Sequence, residues 1–260
     1  MKALILLMAL SQPVLAGSIS ILGPLAHDLE LPPGHTRHGV IVVRNDCAKT
    51  VELVVYQSDF RFFADGRNIY DGPGTHERSN AGWITYAPDQ FALKPGEKQT
   101  VAYRVSVPPD PSLRGTYWSL LMVEPVNPRF QAQPACEGLH VASSIRYGIQ
   151  ISTTMGSHGS RDLSFEQLEA AWGSDAVTLH LELENTGEVK LSPVVWVEIF
   201  DPEGGSLGRF DGGSKRIYPA CSAAFDISLP GLTAGRYTAL VVADNGDEHV
   251  FGSQLALEIQ

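Results

Sequence analysis

Apolar and polar side chains alternate with a period of two along most of the chain. In the segments 101–107, 145–151 and 177–183, every odd-numbered residue is a large apolar residue and every even-numbered residue is polar or small. This period places alternate side chains on opposite faces of a β-strand, so each segment predicts a strand with one buried face. Only 165–172 also has apolar residues at helical spacing, and we interpret it as a strand because Leu163-Ser164-Phe165 resembles the start of one.

Turn-forming residues separate the alternating segments. Lys94-Pro95-Gly96, the run 201–205 and Asp244-Asn245-Gly246-Asp247 lie between apolar runs, and Asn-Gly is a strong signal for a two-residue hairpin. Many short strands at regular spacing predict a β-sandwich or a β-barrel.

The pattern of the first half recurs in the second half. An apolar strand ends at Asn45 and a later strand starts with Gly115-Thr116-Tyr117; likewise one ends at Asn185 and a later one starts with Gly235-Arg236-Tyr237. The G-x-Y start is similar to the tyrosine corner of immunoglobulin-like sandwiches. We therefore expect an all-β chain of two immunoglobulin-like β-sandwich domains in tandem, at 17–155 and 161–260, joined by a Gly- and Ser-rich linker at 156–160. A polar insert at 61–82 lengthens the first unit, and we interpret it as a solvated hairpin.

The N-terminal residues have the pattern of an export signal. Lys2 precedes an apolar run at 3–10, and Val14-Leu15-Ala16 forms a cleavage site of small residues, which predicts a signal peptide at 1–16. The run is about half of the ~20 residues that a membrane-spanning helix needs. We expect a periplasmic or secreted protein with no transmembrane segment in its mature form.

Charge and motif content exclude several classes of function. The chain has 19 Lys and Arg against 29 Asp and Glu, a net charge of −10, which argues against a nucleic-acid partner. No S-x-x-K or H-E-x-x-H motif occurs, and we expect no enzyme and no cofactor. No metal site is expected either, because no C-x-x-C occurs and His35-x-x-His38 lacks a third ligand. The acidic residues Asp244, Asp247 and Glu248 fit a hairpin tip.

Three cysteines allow one disulfide and leave one thiol unpaired. Cys47 follows the strand-like run at 39–44, and Cys136 lies in the Pro-rich loop after 116–126. If these runs are the second and sixth strands of a sandwich, the loops after them share one end of the domain. Cys47–Cys136 is therefore the favoured one of three possible pairs, which leaves Cys221 free or available to another chain.

The first domain contains a recognisable series of motifs: Trp83-Ile84, Pro88, Phe91-Ala92-Leu93, Pro95-Gly96, Gln99, Pro108-Pro109-Asp110 and Tyr117-Trp118. This series resembles the N-terminal domain of periplasmic pilus-assembly chaperones, the PapD-like superfamily. The resemblance covers 37–155 well and the second domain only as a fold. The segment 59–124 is also similar to extracellular domains of bacterial WxL-type surface proteins.

The resemblance implies a protein partner. Such chaperones capture a pilin-like or other envelope subunit by β-strand donation, in which backbone hydrogen bonds provide affinity and alternate side chains fill pockets. The matching donor strand is 145–151, with Ile145, Arg146, Tyr147, Ile149 and Ile151 as the partner-binding residues. The alternative is that this apolar face packs on the core of its own domain.

One departure from the family concerns the anchoring of the partner's C-terminal carboxylate. The family uses an Arg in the first strand and a Lys on the donor strand, but residues 18–31 contain neither Lys nor Arg. Carboxylate capture would then rest on Arg146 or on Arg37. The alternative function is a structural or adhesion module of the cell envelope with no assembly role.

Overall fold

The computed structural model describes residues 19–126, 145–156, 158–172 and 177–259. These ranges contain β-strands and one short 3-10 helix at Ala81–Trp83. No helix within them is long and apolar enough to cross a membrane. The predicted signal peptide at 1–16 and Cys136 lie outside the described residues.

The first sandwich consists of two facing sheets. Its strands are β1 (Ile19–Leu22), β2 (Ala26–Glu30), β3 (Thr36–Asn45), β4 (Val51–Phe62), β5 (Asn68–Asp71), β6 (Ile84–Ala87), β7 (Gln90–Leu93), β8 (Lys98–Ser106), β9 (Thr116–Pro125) and β10 (Tyr147–Thr154). One sheet has the order β1-β3-β8-β6, and the other has the order β2-β10-β9-β4-β5, with β7 also paired to β4.

The second sandwich also consists of two sheets. Its strands are β11 (Leu163–Trp172), β12 (Val177–Asn185), β13 (Val194–Phe200), β14 (Ser206–Ser214), β15 (Ser222–Leu229), β16 (Gly235–Asp244) and β17 (Val250–Ile259). The sheet orders are β11-β12-β15 and β14-β13-β16-β17. The protein is thus an all-β chain of two immunoglobulin-like sandwiches. The segment 165–172 is a strand as expected, with a bulge between Phe165 and Gln167.

Period-two alternation produces a separate core in each sandwich. The odd-numbered apolar residues of β8, such as Val101 and Val105, lie in the first core, and those of β12, such as Leu179 and Leu181, lie in the second. Trp118 is an exception, because it belongs to β9 of the first sandwich and packs in the core of the second. The two sandwiches therefore share a packed contact.

The sequence repeat corresponds to a repeated hydrogen-bond pattern. The fully buried Asn45 amide donates to the carbonyl oxygens of Lys49 and Leu93, and its own oxygen accepts from the Cys47 N–H. In the second sandwich the Asn185 amide donates to two carbonyl oxygens, and its oxygen accepts from the Gly187 N–H. A buried amide thus closes the corresponding turn in each sandwich, with all its polar atoms paired.

The chain changes sheets between its first two strands. β1 pairs antiparallel with β3, whereas β2 pairs parallel with β10 in the facing sheet. The registered pairs run from Gln150–Ala26 to Thr154–Glu30, so β2 covers only the C-terminal part of the β10 edge. This partial coverage defines the candidate site.

Candidate partner-binding edge and the interdomain cleft

One edge of β10 is open along its N-terminal part. The Gln150 N–H donates to the Leu25 carbonyl oxygen (2.8 Å), and the Thr154 oxygen accepts from the Leu31 N–H (3.0 Å), so even-numbered residues point their backbone groups towards β2. Gly148 continues this alternation beyond the end of β2. Tyr147–Ile149 pair with β9, and no strand pairs with their other edge among the described residues.

The side chains of the predicted donor strand divide into buried and exposed groups. Ile149 and Ile151 are fully buried in the first core, Tyr147 is half-buried, and Ile145 is 45% exposed. The Tyr147 hydroxyl donates to the Ile19 carbonyl oxygen (2.9 Å) and so holds its ring against β1. Ile149 and Ile151 thus fill the core of their own domain, which is the alternative stated for this face, whereas Ile145 stays partly exposed. The partner-binding role of the five residues stays a prediction.

Arg146 lies on the outer face of the same sheet. Its guanidinium lies 5.1 Å from the centre of the Tyr70 ring, and the Phe60 ring lies 5.1 Å from that of Tyr70. These side chains border a cavity of about 200 Å³ that Gly148 and Met122 also line. A Cβ at Gly148 would lie 3.1 Å from the Met122 sulfur, so the glycine helps to keep this space open.

Arg37, the other predicted carboxylate anchor, is not part of this site. It lies on β3, where it pairs in register with Val105 in the sheet that faces β10. Of these two arginines, Arg146 is therefore the one that lies next to the open edge.

A charge cluster joins the two sandwiches at the cleft. Its members are far apart in the chain, so no sequence pattern predicts it. The Asp28 carboxylate on β2 accepts from the Lys190 ammonium (2.8 Å), the Arg216 guanidinium (2.8 Å) and the Ser152 hydroxyl (2.5 Å). Burial alone would raise the pKa of Asp28, but the hydrogen bonds from Lys190 and Ser152 and the two positive charges lower it below its ordinary value. Both cations come from the second sandwich.

β10 itself contacts the second sandwich next to this cluster. The Gln150 side-chain oxygen accepts from the Arg216 guanidinium and from the Tyr218 hydroxyl, both at 3.2 Å. Burial raises the pKa of Tyr218 to about 12. Its ring stacks on Trp118, with centres 4.6 Å apart and an interplanar angle of 11°. β10 is therefore fixed relative to the second sandwich as well as to its own core.

Cys47 and Cys221 belong to different cores. The half-buried Cys47 packs against the first core, and burial and the nearby Asp46 carboxylate raise the pKa of its thiol. Cys221 is fully buried in the second core, and burial raises its pKa to about 11. Because Cys136 lies outside the described residues, the Cys47–Cys136 disulfide stays a prediction. The described residues contain no group of side chains that could hold a metal ion.

Comparisons with known proteins give similarity in structure only. No family model and no curated protein match the chain. It is similar to the class 5 fimbriae chaperone CfaA, with 13% identity, a TM-score of 0.49 and coverage of 91% of this chain and 98% of that one. It is also similar to a chain from the complex of the Salmonella enterica SafA pilin with the SafB chaperone (13% identity, TM-score 0.43, coverage 92% and 96%). A chain from the CsuC–CsuE chaperone–tip adhesion subunit complex of Acinetobacter baumannii is comparable (13%, 0.44, 90% and 97%). At these identities and TM-scores, the function has to be argued from the contacts within the chain itself.

Proposed function

We propose that the protein is an exported binding protein that captures a pilin-like or other envelope subunit by pairing a strand with the open edge of β10. The observation that carries the proposal is the register of β2, which stops at Gln150 and leaves the edge of Tyr147–Ile149 without a partner strand among the described residues. An open edge presents backbone donors and acceptors that a strand of another protein can satisfy.

The surroundings of this edge favour binding of an extended segment. The incoming strand would continue the line of β2, where Leu25 and Ile145 are exposed apolar residues beside the open backbone. Because Ile149 and Ile151 are fixed in the core, β10 is held rigid before binding and little ordering entropy is lost there. Arg146 supplies a positive charge next to the edge, suited to a carboxylate on the partner.

Photo-crosslinking from the open edge tests this proposal. The chain is produced in its exporting cell with benzoylphenylalanine at position 145, irradiated, and its adducts are identified by mass spectrometry. We expect adducts with an immunoglobulin-like subunit that lacks one strand. The Ile145→Asp variant, purified with that subunit, should retain less than a tenth of the capture while its melting temperature stays unchanged.

Val40→Asp is the matched control. Val40 is an apolar strand residue with 54% exposure, and it lies on β3 in the opposite sheet. This variant should capture the subunit as the unmodified protein does. Recovery of glycan alone, or of no partner from position 145, would favour the alternative of a structural or adhesion module without an assembly role.

A further inference from the structure

The sequence predicted that the polar insert at 61–82 is a solvated hairpin. In the structure, part of this insert is held against the rest of the protein. Residues 59–80, which we call the brace, comprise the end of β4, β5 and the loop that follows. The tip at 63–67 is largely exposed, but the loop at 72–80 returns to the sheet and lies against both sandwiches. The expectation fails because buried polar side chains, rather than apolar ones, hold the loop in place.

Two buried polar side chains hold the loop of the brace in place, Asp59 by bonds from β4 to the loop and Asn80 by a bond from the loop to β10. The Asp59 carboxylate accepts from the N–H groups of Thr75 (2.7 Å) and His76 (3.1 Å) and from the Ser79 hydroxyl (2.6 Å). These bonds lower the pKa of Asp59 although its burial would raise it. The Asn80 amide donates to the Ile151 carbonyl oxygen (3.0 Å) on β10. The loop is thus fixed to the sheet that carries the open edge.

Three separate contacts join the brace to the second sandwich. The Arg78 guanidinium lies 3.2 Å from the Glu188 carboxylate, in a pair whose side chains are mostly buried. The Ala64 N–H donates to the Ser222 hydroxyl (2.9 Å). The Phe62 ring meets the Tyr218 ring edge-on, with centres 6.2 Å apart.

A series of aromatic rings also connects the brace to the second sandwich. The His76 ring lies 4.6 Å from Trp118, and Trp118 lies 4.6 Å from Tyr218. Two brace residues accept hydrogen bonds from Trp118. Its backbone N–H donates to the Arg78 carbonyl oxygen (2.9 Å), and its indole N–H donates to the Phe60 carbonyl oxygen (2.6 Å). The brace therefore positions Trp118, a buried side chain of the first sandwich that enters the second core.

We infer that the brace fixes the angle between the two sandwiches. The covalent connection between them contains Gly156 and Gly159, both with a positive φ that glycine adopts without strain. A Cβ at Gly159 would lie 2.9 Å from atoms of both Gly115 and Val189, so the connection itself packs against both sandwiches, and their orientation depends on non-covalent contacts. The Asp28 cluster and the bond from the Thr116 N–H to the Glu188 oxygen (2.7 Å) supply some of them, and the brace adds an independent set from a different element. This inference concerns the free protein and does not depend on the proposed partner.

The Arg78→Ala/Ser222→Ala double variant tests the inference, because it removes two contacts to the second sandwich and leaves the Asp59 anchor intact. Trypsin cleavage after Arg161, at the junction, should become at least tenfold faster well below the melting temperature. Calorimetry should resolve two unfolding transitions where the unmodified protein shows one. Arg67→Ala is the control, because Arg67 is at the exposed hairpin tip and pairs with Asp65 of the same hairpin.

Unchanged cleavage and a single transition in the folded double variant would overturn the inference. If the double variant does not fold, Glu188→Gln provides the second test, since it alters the Arg78 pair from the side of the second sandwich. Glu188→Gln should accelerate cleavage after Arg161 in the same direction, and a rate equal to that of Arg67→Ala would also overturn the inference.

Discussion

At the scale of single residues, one buried amide in each sandwich closes a turn that no backbone group closes. Asn45→Ala or Asn185→Ala would leave two carbonyl oxygens and one N–H without their partner. We expect each change to lower the free energy of unfolding by about 1–3 kcal/mol, the cost of unsatisfied buried groups. Urea denaturation measures it. Asn68→Ala is the control, since Asn68 is exposed and donates only to Gly66; an equal loss there would contradict the argument.

His76 makes stability depend on pH. Burial lowers the pKa of His76 below the ordinary 6.5. The negative charge of Asp59 opposes this shift, and the positive charge of Arg61 adds to it. The His76 Nδ1 accepts from the Arg78 N–H (3.1 Å), which requires the neutral ring. Below pH 6.5 the unfolded chain therefore takes up a proton before the folded chain does, so stability present above that pH is lost as the pH falls.

The measurement for His76 is the urea midpoint at pH 8 and at pH 5. We expect the midpoint of the unmodified protein to fall more between these values than that of His76→Asn, whose amide oxygen can still accept from Arg78. An equal fall in both proteins would show that other groups cause the pH dependence.

Cys221 should be chemically protected in the folded protein. Its thiol is fully buried and its pKa is raised to about 11, so little reactive thiolate forms at pH 8. We expect iodoacetamide to modify Cys221 in urea and to leave it unmodified in the native protein. Peptide mapping without reduction then tests the pairing of Cys47 with Cys136. A peptide that links Cys221 to either one would contradict both expectations.

At the scale of elements, core positions on β10 and the proposed binding position just before it lie within a few residues of each other. Ile149→Asp would bury an unpaired carboxylate in the first core and should unfold that sandwich at ambient temperature or lower its melting temperature by more than 10 °C. Ile145→Asp, at an exposed position, should melt within about 2 °C of the unmodified protein. Circular dichroism melting decides. A normal melt of Ile149→Asp would show that the strand leaves the core easily.

Alternation predicts strands and their buried faces without knowledge of which strands lie beside them. Val101 and Leu179 point inwards because a half-buried strand needs one apolar face, whatever strand lies beside it. The open part of β10 was not predictable in this way, because it depends on where β2 stops pairing with it. The contacts of the brace were also hidden: Asp59 and Asn80 look like turn residues in sequence, and only their distant partners make them buried anchors.

At the scale of the whole molecule, the two sandwiches meet through charged and aromatic contacts from several elements. The Asp28 cluster, the Trp118–Tyr218 stack and the brace each involve residues more than sixty positions apart in the chain. β10 contacts Arg216 and Tyr218 through Gln150, the residue next to its open edge. If a partner strand binds at that edge as we propose, we expect its surroundings to depend on the orientation of the second sandwich.

A double-mutant cycle across the cleft tests how much the Asp28 cluster contributes to the contact between the sandwiches. Asp28→Asn leaves Lys190 and Arg216 facing each other without their shared carboxylate, and Lys190→Met removes one of the two charges. We expect an interaction energy of about 1 kcal/mol from the cycle, limited by solvent screening because the Asp28 side chain is 42% exposed, and smaller in 1 M salt. The exposed Arg236–Glu258 pair on the surface of the second sandwich is the control and should give an energy near zero. If both cycles give the same value, the cluster at the cleft contributes no more than an ordinary surface pair, and the orientation of the sandwiches must depend on the brace and the aromatic stack.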